Sequence, residues 1–156
     1  MDSSVFFGQL GLGLTLGLGA LGSALGIGAA ATAAAGAWAK DAKAGKPLNF
    51  SYIILTGMPL SQTIYAFILM LIGLKGGIVD NPAIVAAHGG TMLGIALGCG
   101  IAEFISAWAQ GMIGGAACRA LSESDGKGLA FMIITMGIVE TVGLFGMVFM
   151  LFMIPK

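Results

Sequence analysis

Four long apolar runs constrain this chain more than any other feature. They cover approximately residues 5–39, 50–74, 83–117 and 129–154, and three short polar connectors separate them. Each run is long enough to cross a hydrocarbon core, which needs about 20 helical residues. Because backbone polar groups in hydrocarbon must be paired internally, the runs predict helices. The sequence therefore predicts an all-α membrane protein whose four transmembrane helices form two tandem helical hairpins.

The composition agrees with a membrane location and excludes one class of partner. The chain is 58% hydrophobic and only 9% charged, whereas soluble domains carry roughly 25% charged residues. Seven basic residues balance seven acidic ones, so the chain lacks the broad basic surface that nucleic-acid binding requires. We therefore expect lipid around the helices and no nucleic-acid partner.

Basic residues near the helix ends predict the orientation, because they accumulate on the cytoplasmic side. Five belong to the first and third connectors, and two belong to the second connector and the C-terminus. The first group is Lys40, Lys43, Lys46, Arg119 and Lys127, and the second is Lys75 and Lys156. We expect connectors one and three to be cytoplasmic and both termini to lie outside the cytoplasm.

The two halves of the chain resemble each other with a period near 80 residues. Shifting the sequence by that period superposes GMPLSQTIYAF (57–67) on GIVETVGLFGM (137–147) and places Leu60 on Glu140. Residues 1–78 and 79–156 are therefore predicted to be two related hairpins, of which only the second carries this acid.

The first and third runs are rich in glycine and alanine. Their GxxxG pairs are Gly13/Gly17, Gly22/Gly26, Gly94/Gly98 and Gly111/Gly115. Small residues at this spacing let membrane helices approach closely, so we expect helices one and three to form a tightly packed inner layer. A GxGxxG pattern in the first run does not indicate dinucleotide binding, since that motif needs a preceding strand.

Glu140 is the only charged residue of the fourth run. A charge at the centre of a membrane costs about 2.5–3.5 kcal/mol on insertion scales, so such a residue indicates function by default. Ser61, Gln62 and Gln110 all lie about 9–12 residues from the predicted cytoplasmic helix ends, which corresponds to roughly the same depth as Glu140.

Two further residues can contribute to this polar layer. Pro59 lacks an N–H group, so the helix is expected to distort and turn a main-chain oxygen near Met58 inward. Tyr65 lies four residues after Ser61 on the same helical face, where its hydroxyl can reach the carboxylate. A proton site needs only a buried carboxyl, whereas sodium requires several hard oxygens. Alternatively, the serine and glutamine side chains of this layer bind no cation and only form hydrogen bonds with neighbouring helices.

The combination of MPLSQTIY, AQG and VETVGLFG resembles the proteolipid K (c) subunit of V-type and archaeal-type rotary ATPases. The chain is most similar to the sodium-translocating bacterial members, in which the duplicated four-helix subunit forms the membrane rotor ring. The resemblance implies a non-catalytic subunit that translocates Na⁺ or H⁺ and has no organic cofactor. It also implies a homo-oligomeric ring in a bacterial cell membrane, a stator subunit with a basic residue, and a central-stalk subunit at the cytoplasmic connectors.

The resemblance also implies a role for each residue of the polar layer. Glu140 would bind the ion, and Tyr65 would hold the carboxylate by a hydrogen bond. The remaining ligands would be the side-chain oxygens of Ser61, Gln62 and Gln110 and the main-chain carbonyl of Met58.

Two other functions remain open at this point. A small four-helix multidrug/proton antiporter also depends on one membrane acid, although that acid should lie among aromatic residues. A tetraspan scaffold would not need Glu140 for transport at all. Glu103 lies outside the motifs, and we expect it to be protonated and bonded to Ser23, to face the lumen of the ring, or to join an ion route.

Overall fold

The protein consists of four long helices. The computed structural model describes residues 2–155, and this part of the chain contains no β-strand. The four helices are α1 (Ser3–Lys43), α2 (Ser51–Val79), α3 (Pro82–Glu123) and α4 (Leu129–Phe152), and each is long and apolar enough to cross a membrane. The predicted all-α fold with four transmembrane helices is therefore confirmed, and the protein is an integral multi-pass membrane protein.

Three of the four helices extend further than the apolar runs predicted, whereas α4 ends at Phe152, two residues before the end of its run. α1 continues to Lys43 and α3 to Glu123, so both project well beyond a hydrocarbon core of about 30 Å. The second connector was predicted as residues 75–82, but residues 75–79 belong to α2. In α1 and α3, polar residues end the apolar run without ending the helix, because Lys, Arg and Glu are good helix formers.

α2 is irregular at two places. A 3₁₀ turn at Met58–Leu60 contains Pro59, whose missing N–H group interrupts the α-helical hydrogen bonds. Beyond Ile68 the helix widens into a π-helical segment, Leu69–Val79. The first irregularity lies one residue before Ser61 and therefore sets the position of the polar side chains that follow.

Glycines bring α1 and α3 into backbone contact. A Cβ atom at Gly22 would overlap the backbone of Phe104, one at Gly26 would overlap the carbonyl of Ala107, and one at Gly111 would overlap the backbone of Gly26. The Gly22/Gly26 and Gly111/Gly115 pairs therefore pack as expected. Within residues 2–155, Gly13, Gly17 and Gly94 have no atom of another helix within 4 Å of such a Cβ, so they face away from the rest of the chain.

Near the N-terminal end of α3, Ser4 of α1 inserts into a kink. The helix departs from helical geometry at His88 (φ −125°, ψ 17°). The Ser4 hydroxyl donates a hydrogen bond to the carbonyl of Val85 at 2.9 Å and accepts one from the amide of Gly89 at 3.0 Å. It thereby replaces the backbone hydrogen bond that the kink removes.

A second polar contact holds together the end of α1, the start of α2 and the end of α3. The buried carboxylate of Asp41 accepts hydrogen bonds from Tyr52 at 2.8 Å and Ser122 at 2.7 Å.

Outside the helices, Lys46 pairs with Asp125, and the hydrogen bond and opposite charge raise the pKa of Lys46 and lower the pKa of Asp125. The first and third connectors therefore contact each other. Lys156, one of the residues behind the predicted orientation, lies outside the described residues.

Two apolar clusters flank a polar layer in the interior. One includes Leu69, Met92, Ile95, Cys99 and Met147, and the other includes Tyr52, Leu55, Cys118, Leu121 and Met136. Both cysteines are free and buried, Cys99 in the first cluster and Cys118 in the second. The polar side chains between the clusters form the candidate site.

Candidate functional site

Three helices meet at the Glu140 carboxylate. Its Oε1 accepts a hydrogen bond of 2.8 Å from the hydroxyl of Tyr65 in α2. Its Oε2 accepts one of 3.3 Å from Nε2 of Gln110 in α3. The structure thus places Tyr65 on the acid, as the helical spacing predicted. Glu140 and Tyr65 are both partly exposed, so the site opens towards the outside of the subunit.

The two glutamines extend the network into the interior. Gln62 and Gln110 are completely buried, and Nε2 of Gln62 donates to Oε1 of Gln110 at 3.2 Å. Nε2 of Gln110 also lies 3.1 Å from the carbonyl of Met136. Because buried amides need partners for both their N–H groups and their oxygen, this pairing fixes both side chains at the level of Glu140.

Ser61 and Met58 form the end of the hydrogen-bonded chain that is farthest from Glu140. The Ser61 hydroxyl lies 3.1 Å from the Met58 carbonyl and 3.1 Å from Oε1 of Gln62. The 3₁₀ turn at Pro59 lies between these two residues and ends at the residue before Ser61. All six residues singled out in the sequence are therefore brought together in one hydrogen-bonded chain from Met58 to Glu140.

Ser106 belongs to the same layer, although the sequence analysis missed it. Its hydroxyl accepts a hydrogen bond of 3.1 Å from Nε2 of Gln62 and donates one of 2.9 Å to the carbonyl of Val139. The residue lies four positions before Gln110 and so on the same helical face. The four-residue separation from Gln110 is the sequence signal from which Ser106 could have been predicted.

Glu103 does not join this chain, and its predicted hydrogen bond to Ser23 is wrong. Ser23 instead accepts a hydrogen bond of 2.8 Å from Thr63, a residue of α2 that reaches it first. The Glu103 carboxyl turns towards α4 and is completely buried, and neither of its oxygens has a hydrogen-bond partner among residues 2–155. It therefore does not face the lumen of a ring.

The set is rich in the oxygen atoms that bind hard cations. Carboxylate, amide, hydroxyl and main-chain oxygens all lie within one layer, and such ligands suit small hard cations. In this structure, the amide of Gln62 donates to Gln110 and the amide of Gln110 donates to Glu140, so both point an N–H group towards the carboxylate end of the chain. Since a glutamine amide carries an acceptor and a donor on opposite sides, rotation of its terminal torsion exchanges one for the other.

Comparison with known proteins identifies one matching family. The family model that describes the c subunit of ATP synthase matches residues 10–73 and 93–153. The first segment contains Met58, Ser61, Gln62 and Tyr65, and the second contains Gln110 and Glu140. No curated protein matches the chain at a significant level.

Proposed function

Since the chain belongs to the family of ATP synthase c subunits, we propose that it is the rotor-ring subunit of a V-type or archaeal-type rotary ATPase and that Glu140 carries Na⁺. Members of this family form homo-oligomeric rings in the membrane and translocate ions together with other ATP synthase subunits. The observation that carries the proposal is the convergence of Tyr65 and Gln110 on the Glu140 carboxylate.

Sodium is favoured over the proton by the number of oxygen ligands. The hydrogen-bonded chain that ends at Glu140 contains the side-chain oxygens of Gln110, Gln62 and Ser61 and the carbonyl of Met58. A dehydrated sodium ion needs several such oxygens, whereas a proton would be held by the carboxyl alone. In the ion-bound state, Gln62 and Gln110 would turn their amide oxygens towards the ion, while Tyr65 would continue to hold the acid.

Partial exposure of Glu140 fits a cycle of binding and release. The ion neutralises the carboxylate while it faces lipid, because an empty carboxylate there is costly. A basic residue of a stator subunit then displaces the ion as the ring turns. Each ion moves with or against about 2.3 kcal/mol per 100 mV, so several ions must pass for each ATP turned over elsewhere in the complex.

The remaining features of the subunit belong to the same proposal. α1 and α3, in backbone contact through their glycines, would line the inside of the ring, with α2 and α4 outside. Connectors one and three would lie in the cytoplasm against the central stalk. The two matched segments support a duplicated hairpin, with boundaries at residues 78 and 79 and one ion site per subunit. The multidrug antiporter is not favoured, because the family match assigns the chain elsewhere.

Labelling with dicyclohexylcarbodiimide tests which cation occupies the site. This reagent modifies protonated carboxyls in apolar surroundings, and peptide mass spectrometry locates the product on the purified ring. We expect NaCl to slow modification of Glu140 at constant pH, whereas KCl has no effect. Equal rates in both salts would eliminate sodium and leave the proton as the transported ion.

The Tyr65→Phe variant tests the hydroxyl that holds the carboxylate. A hydrogen bond to a charged group contributes about 1.5–3 kcal/mol, so we expect the NaCl concentration that protects Glu140 to rise by about tenfold or more. Tyr52→Phe is the matched control, because its hydroxyl binds Asp41 at the cytoplasmic end instead. If both variants or neither of them shifted sodium protection, Tyr65 would have no specific role at the ion site.

A further inference from the structure

Glu103 is a second carboxyl inside the membrane that the proposed ion site does not use. It lies in α3, is completely buried, and neither of its oxygens exchanges a hydrogen bond with any described residue. Its Cβ lies 3.7 Å from the position that a Cβ atom at Gly19 of α1 would occupy. The side chain is therefore enclosed by its own subunit, in contrast to the partly exposed Glu140.

The absence of a side chain at Gly143 makes room for this carboxyl. A Cβ atom at Gly143 would overlap Oε2 of Glu103 and would lie 3.2 Å from its Cδ. The same position is 3.2 Å from the Ser106 hydroxyl. Gly143 follows Glu140 by three residues, so the Glu103 carboxyl lies about one helical turn along α4 from the ion-binding acid.

The two carboxyls have different surroundings. Glu140 is bonded to a tyrosine and an amide and lies in a layer of further oxygens. The Glu103 carboxyl and the Ser106 hydroxyl both border the space left by Gly143, and on the α1 side Glu103 lies near Gly19. One hydroxyl and one carboxyl do not replace the hydration shell of sodium, which needs several hard oxygens.

An ionised Glu103 would add an unpaired negative charge to the interior. The ionisable groups that face it from the described helices are Glu140 of α4, Tyr65 of α2 and Cys99 of its own helix. None of these three carries a positive charge, and Glu140 carries a negative one when it is ionised. A proton on Glu103 removes both the burial cost and the repulsion between the two carboxylates.

We propose that Glu103 is a second cation site of each subunit, specific for a proton, which remains occupied while Glu140 exchanges its own ion. The acceptor in this proposal is the Ser106 hydroxyl, which borders the same space at Gly143. Its hydroxyl donates to Val139 and accepts from Gln62, and a hydroxyl has two acceptor lone pairs. One lone pair is thus left for the O–H group of Glu103, and the proton remains with the subunit as the ring turns.

Infrared spectroscopy of the purified ring tests this directly, because a protonated carboxylic acid has a carbonyl stretch separate from that of a carboxylate. In saturating NaCl at neutral pH, we expect the wild-type ring to keep one protonated-acid band that shifts in heavy water. Glu103→Gln should remove that band, whereas Glu140→Gln and the surface control Glu123→Gln should leave it. A sodium-saturated wild-type ring without such a band would overturn the proposal, as would a band that sodium removes together with that of Glu140.

A second variant covers the case in which Glu103→Gln prevents assembly. Gly143→Ala adds a methyl group against the end of the flexible Glu103 side chain, so the fold should tolerate it while the frequency of the band changes. An unchanged frequency in this variant would contradict the assignment to Glu103. Of these measurements, only the prediction that sodium removes the band of Glu140 and leaves that of Glu103 depends on the proposed function. If Glu140 also kept its proton in NaCl, sodium transport would be excluded while the Glu103 band would still identify the second site.

Discussion

Replacing Glu140 by Gln is expected to abolish ion translocation while the subunit remains folded. The amide has nearly the shape of the carboxyl, and its oxygen can still accept the 2.8 Å hydrogen bond from Tyr65. It cannot neutralise a cation, and removal of one member of a buried charge pair costs about 3–5 kcal/mol, or at least about 100-fold in ion affinity. Uptake of radioactive sodium by proteoliposomes containing the whole complex measures the loss.

Glu123→Gln is the matched control for this experiment. Glu123 is exposed at the end of α3 and pairs with Lys40 at 3.4 Å, and surface pairs of this kind contribute little. The control should transport sodium at the wild-type rate. If Glu140→Gln also kept transport and altered only assembly, the chain would be a scaffold and the carboxylate would have no part in ion movement.

Gly111→Ala is expected to have a large effect on the packing of α1 against α3. The added methyl group would overlap the backbone of Gly26, and neither backbone can rotate out of the way as a side chain would. α1 and α3 must then separate, and overpacking of this kind costs about 1–3 kcal/mol or more. Because every copy in a ring carries the same substitution, we expect a clear fall in the melting temperature and in the yield of intact ring in detergent.

Gly28→Ala serves as the control for that prediction. Gly28 lies in α1 two residues beyond Gly26, and a Cβ atom there has no other described helix within 4 Å. The folded subunit should keep its melting temperature in circular dichroism. If Gly28→Ala and Gly111→Ala lowered it equally, the loss of stability would not come from the close approach of α1 and α3.

The helices and the convergence of the polar side chains near Glu140 could be predicted from the sequence because hydrophobicity and helical spacing report directly on them. A run such as residues 129–154 has one stable form in lipid, and the spacing of Ser61 and Tyr65 places both on one face. The helix ends could not be predicted equally well. Polarity at Lys75 marks the edge of the apolar run, whereas the backbone continues as a helix to Val79.

Contacts between distant residues were harder to predict. The 80-residue period suggested Ser23 as the partner of Glu103, but two hydroxyl groups, those of Ser23 and Thr63, bond to each other instead. The direction of the Glu103 carboxyl depends on the gap at Gly143, and a single glycine among many gives no such signal in a sequence. The identity of the transported ion stays a prediction, since the same oxygens can serve a protonated or a sodium-bound carboxylate.

The Ser4 insertion at the kink of α3 has a consequence for biosynthesis. The start of α1 bonds to Val85 and Gly89, and the glycines further along α1 contact Phe104 and Ala107. α1 therefore finds these partners only in α3, which is synthesised after it. While α2 is being made, the small-residue face of α1 lies against lipid or an insertion factor, where it is open to wrong pairing. Once α3 is complete, it can cover the small-residue face of α1, and the risk of wrong pairing falls.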